Sequence, residues 1–222
     1  MSSDLVKLLL NGTQETLYMV FLSSIIAFLI GVPIGVLLVV SDKGGIFPLL
    51  KVNKIVGIVI NVIRSMPEMI LIIILLPLAK LIVGTTLGTN AAIISISIGS
   101  APLLARIIEN SLKEVEFGKI EAAESMGATP FEIIKKVLLP EALPSIVRGI
   151  TIAIIGVIGF TAIAGAIGAG GLGSLAIRFG YQRFRTDVLI GTVVVLVVIV
   201  QSIQLIGDFI AKSINKRRFK FE

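Results

Sequence analysis

The sequence predicts an all-α integral membrane protein with five transmembrane helices, and three observations lead there. Apolar residues make up 55% of the 222 positions and charged residues only 15%, with a mean hydropathy of +1.04; soluble domains carry about a quarter charged residues. The apolar material comes in segments long enough for the roughly 20 helical residues that cross a bilayer, and not in alternating strands of about ten. Most Lys and Arg residues gather beside these segments. A helix satisfies its own backbone within the hydrocarbon, so a helical bundle is indicated and a barrel is not.

The first uncharged run, Thr16 to Ser41, follows a short lead containing Asp4, Lys7 and Glu15. Gly31, Pro33 and Gly35 are expected to bend or thin it. A loop with Lys43, Lys51 and Lys54 precedes the second run, Ile55 to Leu78, apolar except for Asn61, Arg64, Ser65 and Glu68 and interrupted by Pro67. The third, Ala91 to about Ala105, carries Ser95, Ser97, Gly99, Ser100 and Ala101, small residues that permit tight packing. Pro102 should kink its end, and Arg106 and Glu109 carry it into solvent. Gly149 to Ile167 forms the fourth, Gly168 to Gly173 a turn and Ser174 to Thr186 a loop or short helix. Val188 to Gly207 is the fifth, and Lys212, Lys216, Arg217, Arg218 and Lys220 make a basic tail. The predicted spans are therefore about 16–41, 55–79, 90–106, 149–168 and 188–208 of a single transmembrane domain, 1–222, with a polar loop over about 110–148.

Five spans place the termini on opposite sides. With the N-terminus outside, fourteen Lys and Arg residues fall in cytoplasmic segments and five outside. The excess of positive charge on the cytoplasmic side selects N-out, C-in. The net charge of +6 is thus a signature of topology, and no nucleic-acid partner is expected. Met1 to Gln14 has one Lys and leads directly into a full spanning run, so a cleavable signal peptide is not expected.

Several chemistries are excluded at once. There is no Cys and no His, which removes disulfides, thiol nucleophiles, imidazole bases and the usual zinc ligands. No nucleophile–base pair or metal site is visible, so the chain is not expected to be an enzyme. The sole Gly-Lys pair, Gly118-Lys119, is followed by Ile120, so no phosphate-binding loop exists. Gly168, Gly170 and Gly173 satisfy G-x-G-x-x-G, but they follow a membrane span and not the first strand of a βαβ unit; a flexible connection is the better reading.

The polar interlude Glu121 to Pro140 has helix signals at both ends. Gly127 suits the left-handed position that ends a helix. Thr129, Pro130 and Glu132 fit N-cap, N1 and N3 of a capping box. Two short helices therefore meet at a sharp turn, the first thinned by Ala122 and Ala123, the second opening with Phe131. An ordinary surface hairpin has the same local chemistry, so a docking role needs further support.

Arg64 and Glu68, four apart, would share a face of one helix as an ion pair. A central charge costs about 2.5–3.5 kcal/mol on insertion scales, so neither should face lipid. They either lock helix to helix or, with Ser65, line a polar route. Thr161, Ala162 and Ile163, between Gly159 and Gly165, form either a packing stripe or a constriction facing a symmetry mate.

Glu121-Ala122-Ala123, Gly127, and Val137-Leu138-Leu139-Pro140 resemble the signature loop of ATP-binding-cassette importer permeases, with Val137 where the pattern usually has Ile. The likeness extends over nearly the whole chain: Glu15-Thr16-Leu17, Arg64-Ser65-Met66-Pro67, Gly99-Ser100-Ala101-Pro102, Ala105-Arg106 with Glu109-Asn110, Lys136 to Pro144, and Gly165 to Gly173 look like the methionine-import permeases. Glu68 departs from the bulky apolar residue usual there. The resemblance implies the type I importer permease fold in a bacterial cytoplasmic membrane and a homodimer of this chain. It also implies two cytoplasmic ATPase subunits that hold ATP and Mg, and an extracytoplasmic methionine-binding lipoprotein. No cofactor is expected on this chain. It further implies that Glu121, Ala122, Ala123, Gly127, Ala128, Thr129, Pro130 and Phe131 form a coupling helix seated in an ATPase groove, with Pro140 behind it. An importer for another amino acid or small peptide, or an ion-coupled carrier or channel using Arg64 and Glu68, remain the alternatives.

Overall fold

The structure is a computed structural model that describes residues 3–218. Of the basic tail, Lys220 and the side chains of Lys216, Arg217 and Arg218 lie outside the described residues. Among those described there are helices and no strands. In order they are α1 (Ser3–Val40), α2 (Leu50–Ser65), α3 (Glu68–Val83), α4 (Thr89–Lys113), α5 (Phe117–Ser125), α6 (Pro130–Ile133), α7 (Leu139–Ala166), α8 (Gly171–Leu175) and α9 (Thr186–Arg218). A π-helical stretch, Ile134–Leu138, fuses α6 to α7, and another, Ala176–Tyr181, extends α8.

Four helical segments are long and apolar enough to cross a membrane, or five when the bent pair α2 and α3 counts as one span. The helices overrun the apolar runs. α1 is helical from Ser3 because Leu5 and Leu9 bury against Leu172 and Val188, which stabilises a polar lead that carries no apolar run of its own. α4 continues to Lys113, and α6 with α7 is one helix from Pro130 to Ala166.

Three expectations are corrected. The second span is not one helix: α2 and α3 are bent by 111°. The ring of Pro67 disfavours a helical Met66, which is extended at φ −79°, ψ 136°. Arg64 and Glu68 therefore sit on different helices, and no ion pair joins them among the described residues. Glu109 does not enter solvent but is 5% exposed. The segment 110–148 holds, besides the two short helices expected around Gly127, the end of α4 to Lys113 and the start of α7 from Leu139.

α4 occupies the centre, packed by α1, α3 and α7. Its small residues explain the position. Ser97 and Ser100 return their hydroxyls to the carbonyls of Ile93 and Ile96 at 2.5 and 2.7 Å, which satisfies them within an apolar bundle. On α1, a Cβ at Gly31 would lie 2.9 Å from the Ala101 carbonyl oxygen, and one at Gly35 would lie 2.6 Å from that of Ala105. Gly31 and Gly35 are the thin side along which α1 meets α4 backbone to backbone. The main core gathers Met19, Ile72, Ile96 and Phe160. A second cluster, with Ile108, Leu112, Leu138 and Ala142, supports the polar end of the bundle.

Candidate docking site

Local chemistry builds the hairpin between α5 and α6. Gly127 has φ 79°, the left-handed value that ends a helix. The Ala128 N–H donates to Ala123 O at 3.1 Å and the Gly127 N–H to Glu124 O at 2.9 Å, the two bonds of a Schellman motif. One residue later α6 begins with a complete capping box. The Glu132 N–H donates to Thr129 Oγ1 at 3.4 Å, and the Thr129 N–H donates to Glu132 Oε2 at 3.1 Å. Lys136 also holds the Glu132 carboxylate, at 2.8 Å.

The turn displays two large apolar side chains. Met126 is 82% exposed and Phe131 70%. Glu121, Ala122, Gly127, Thr129, Pro130 and Pro140 are exposed, and Ala128 is half-buried. Ala123 is the exception: it is buried, so it seats α5 on its own chain while Ala122 faces out. From the other side Lys119 of α5 reaches Glu141 of α7 at 2.6 Å. The hairpin is thus fixed beneath and displays two large apolar side chains among exposed Glu121, Glu124 and Thr129, the apolar anchors with a polar surround of a protein-docking surface. A polar cleft of about 420 Å³ opens beside it, between Glu114, Lys119, Ser145 and Arg148.

The π-helical stretch behind the hairpin has a cause in sequence. Pro140 has no N–H to offer Lys136 O, and its ring crowds that carbonyl. The ladder slips by one residue, so Leu139 N–H donates to Ile134 O.

The pathway candidates separate. Arg64, Ser65 and Glu68 are all exposed and flank the α2–α3 break. The Ser65 hydroxyl is returned to Val62 O at 2.7 Å. Thr161 is 2% exposed and donates to Ile158 O at 2.7 Å. It is buried in its own protomer's core. Ile163 is half-buried against the central cluster.

Two features escaped sequence reasoning. A chain of charges runs from Asp42 through Lys113, Glu109 and Arg106 to Asn61. The Lys113 ammonium and the Lys43 backbone N–H hold the Asp42 carboxyl below the usual carboxylate range. At the other end of the bundle, the Gly171 N–H donates to Glu15 Oε2 at 2.6 Å and the Leu172 N–H to Thr16 Oγ1 at 2.9 Å. The adjacent glycines Gly168 and Gly170, at φ 97° and 90°, form a turn, as their place after a span implied. The nearest sequence signal was Glu15-Thr16-Leu17 as part of a family pattern.

A multi-helix membrane domain with a capped hairpin that displays Met126 and Phe131 between two spanning segments has the form of a polytopic permease-type subunit. The model for the binding-protein-dependent transport system inner membrane component matches residues 31–220, and the chain belongs to that family. It is 47% identical to the probable D-methionine transport system permease protein MetI of Vibrio cholerae over 210 residues, 95% of this chain and 93% of that one. It is 51% identical to the methionine import system permease protein MetP of Bacillus subtilis over 207 residues, 93% of each. Among solved structures, an inward-facing conformation of the MetNI methionine ABC transporter superposes with a TM-score of 0.94 at 43% identity, covering 96% of this chain and 99% of that one. An amino acid ABC transporter with histidines, at 21% identity and a TM-score of 0.77, shares the fold. The family is one of bacterial inner-membrane transport components.

Proposed function

We propose that this chain is the membrane-spanning permease subunit of an ATP-driven importer that carries methionine into the cytoplasm. The observation that carries the reading is the α5–α6 hairpin, whose backbone is capped on both sides of Gly127 while Met126 and Phe131 stand unpaired above it. The relatives named for methionine transport support the substrate.

In this reading two copies of the chain form the pathway with the N-terminus outside. Two cytoplasmic ATPase subunits, which hold ATP and Mg, receive the hairpins through Glu121, Ala122, Ala123, Gly127, Ala128, Thr129, Pro130 and Phe131. An extracytoplasmic binding lipoprotein delivers the solute. Closure of the ATPases draws the hairpins together; α4 and α7, joined to each hairpin directly and through Pro140, pass the motion on, and the dimer opens outward. Hydrolysis returns it inward. The rigid hairpin matters because coupling requires different contacts in the two states. Arg64, Ser65 and Glu68, exposed where α2 meets α3, are the polar groups available to the route, with Ile163 at the rim of the core.

The test is ATP hydrolysis by the reconstituted permease, ATPase and binding protein, with and without methionine, with Gly127→Val as control. Stimulation by methionine that the variant loses is the expected result. Stimulation only by another amino acid or a peptide would change the substrate, and failure of any ATPase to associate would favour a carrier or channel.

A further inference from the structure

α2 is weakly held by apolar contact. Ile60 is its one fully buried residue. Beside the apolar contact of Ile60 with Ala105 of α4, α2 is attached to α4 by polar bonds: Arg106 Nη2 donates to Asn61 Oδ1 at 2.9 Å and to Gly57 O at 3.3 Å. Arg106 is itself held by Glu109 at 2.5 Å, and the other Glu109 oxygen takes Lys113 at 2.9 Å. Lys113 reaches on to Asp42, before α2, at 2.9 Å. Residues 106, 109 and 113 share one face of α4. The Glu109 side chain is 7% exposed and holds both Arg106 and Lys113, so removing its charge would leave a buried polar group between two cations with no anion joining them. Lys113 is the last residue of α4, and α5 starts at Phe117. The network therefore occupies the two helical turns that lead into the docking hairpin, while the far end of α2 carries Arg64 and Ser65.

We infer that Arg106 and Glu109 are positioning residues that make α2 and the end of α4 move as one body, so that motion entering at the hairpin reaches the Arg64–Ser65 end of the pathway. This rests on the reading of the hairpin as an ATPase dock. It adds a branch of the coupling route through polar contacts, distinct from the covalent route through Pro140 and α7. The hinge that such a body requires is the break at Met66 and Pro67, beyond which α3 is held to α4 by apolar packing of its own, through Leu71 against Gly99.

The chain contains no cysteine, so Asn61→Cys with Arg106→Cys gives one addressable pair in each copy of the permease, bridged by a bis-methanethiosulfonate reagent. In proteoliposomes with ATPase and binding protein, the unbridged pair is expected to hydrolyse ATP within about twofold of the parent while transporting roughly tenfold less, a loss of coupling of ordinary allosteric size. Bridging is expected to restore transport, which a role in folding alone would not allow. Transport that stays low or falls further on bridging would mean that α2 must slide on α4, and would overturn the inference. Glu109→Gln, which keeps the shape, is the second reading. Solute moved per ATP should fall with hydrolysis retained, and an unchanged ratio would equally overturn it. Failure of the docking reading registers separately, as an ATPase that does not associate with the parent permease.

Discussion

The Glu15 carboxylate accepts the backbone N–H of Gly171 across 156 residues of sequence, at 2.6 Å. It supplies the cap that α8 lacks from its own N-cap residue, Gly170, and with Thr16 it pins the turn after α7 to α1. Glu15→Gln weakens a charge-assisted bond at an exposed position and should lower stability by about 1 kcal/mol. Gly170→Ala is harsher: its Cβ would lie 2.7 Å from Glu15 Oε2, at φ 90°. Thermal unfolding in detergent should rank the parent above Glu15→Gln and both above Gly170→Ala; Glu15→Gln unfolding at the parent temperature would mean that the bond contributes nothing.

At Gly127 there is open space around an added Cβ, so any cost of substitution is conformational. Gly127→Ala should cost roughly 1–2 kcal/mol in the hairpin, and Gly127→Val more because it is β-branched. ATPase-coupled uptake should fall in that order while the membrane bundle unfolds at its usual temperature.

Phe131 is 70% exposed, and truncating it disturbs no core. Phe131→Ala should leave the isolated permease as stable as the parent and weaken ATPase association by about 2 kcal/mol or more, the size of an interface hot spot. Titration of purified ATPase against the variant in nanodiscs measures this. Undiminished affinity would place the dock elsewhere.

Gly35→Ala on α1 pushes a methyl to 2.6 Å from a backbone oxygen of α4, which cannot swing aside. Overpacking of this kind costs about 1–3 kcal/mol. Gly44→Ala, where nothing lies within 4 Å, is the matched control in the same unfolding assay.

Glu68 is exposed and no described residue bonds it. Glu68→Gln should therefore change stability by less than about 0.5 kcal/mol. With stability constant, any change in uptake rate or solute preference reports a place on the route, and uptake identical to the parent would remove Glu68 from it.

The hairpin was legible because its code is local. Gly127, Thr129, Pro130 and Glu132 each state a backbone requirement within four residues, and the structure meets all of them. Hydropathy marked the membrane material for the same reason. Helix ends were harder to read, because Leu5 and Leu9 bury only when α8 and α9 are present. The Arg64–Glu68 spacing misled because it assumed a ladder that Pro67 interrupts. Non-local partnerships left no periodic trace: Glu15 with Gly171, and Arg106 with Asn61, are polar contacts between segments far apart in the chain. Thr161, noted in the sequence for its place between Gly159 and Gly165, has its hydroxyl satisfied by its own helix, a local bond that spacing does not reveal.

The unbroken helix from Pro130 to Ala166 has 37 residues, about 55 Å at 1.5 Å per residue. It runs from the exposed hairpin past the central core to the glycine turn at the opposite end. A rod of that length is a lever: a tilt of about 5° at one end carries the other through about 5 Å, roughly one helical turn. Its one irregular stretch, Ile134–Leu138, lies next to the end where force would enter. Stiffness along the remainder means that small displacements at the hairpin arrive magnified, and a softer joint anywhere beyond Pro144 would spend them as bending before they crossed the membrane.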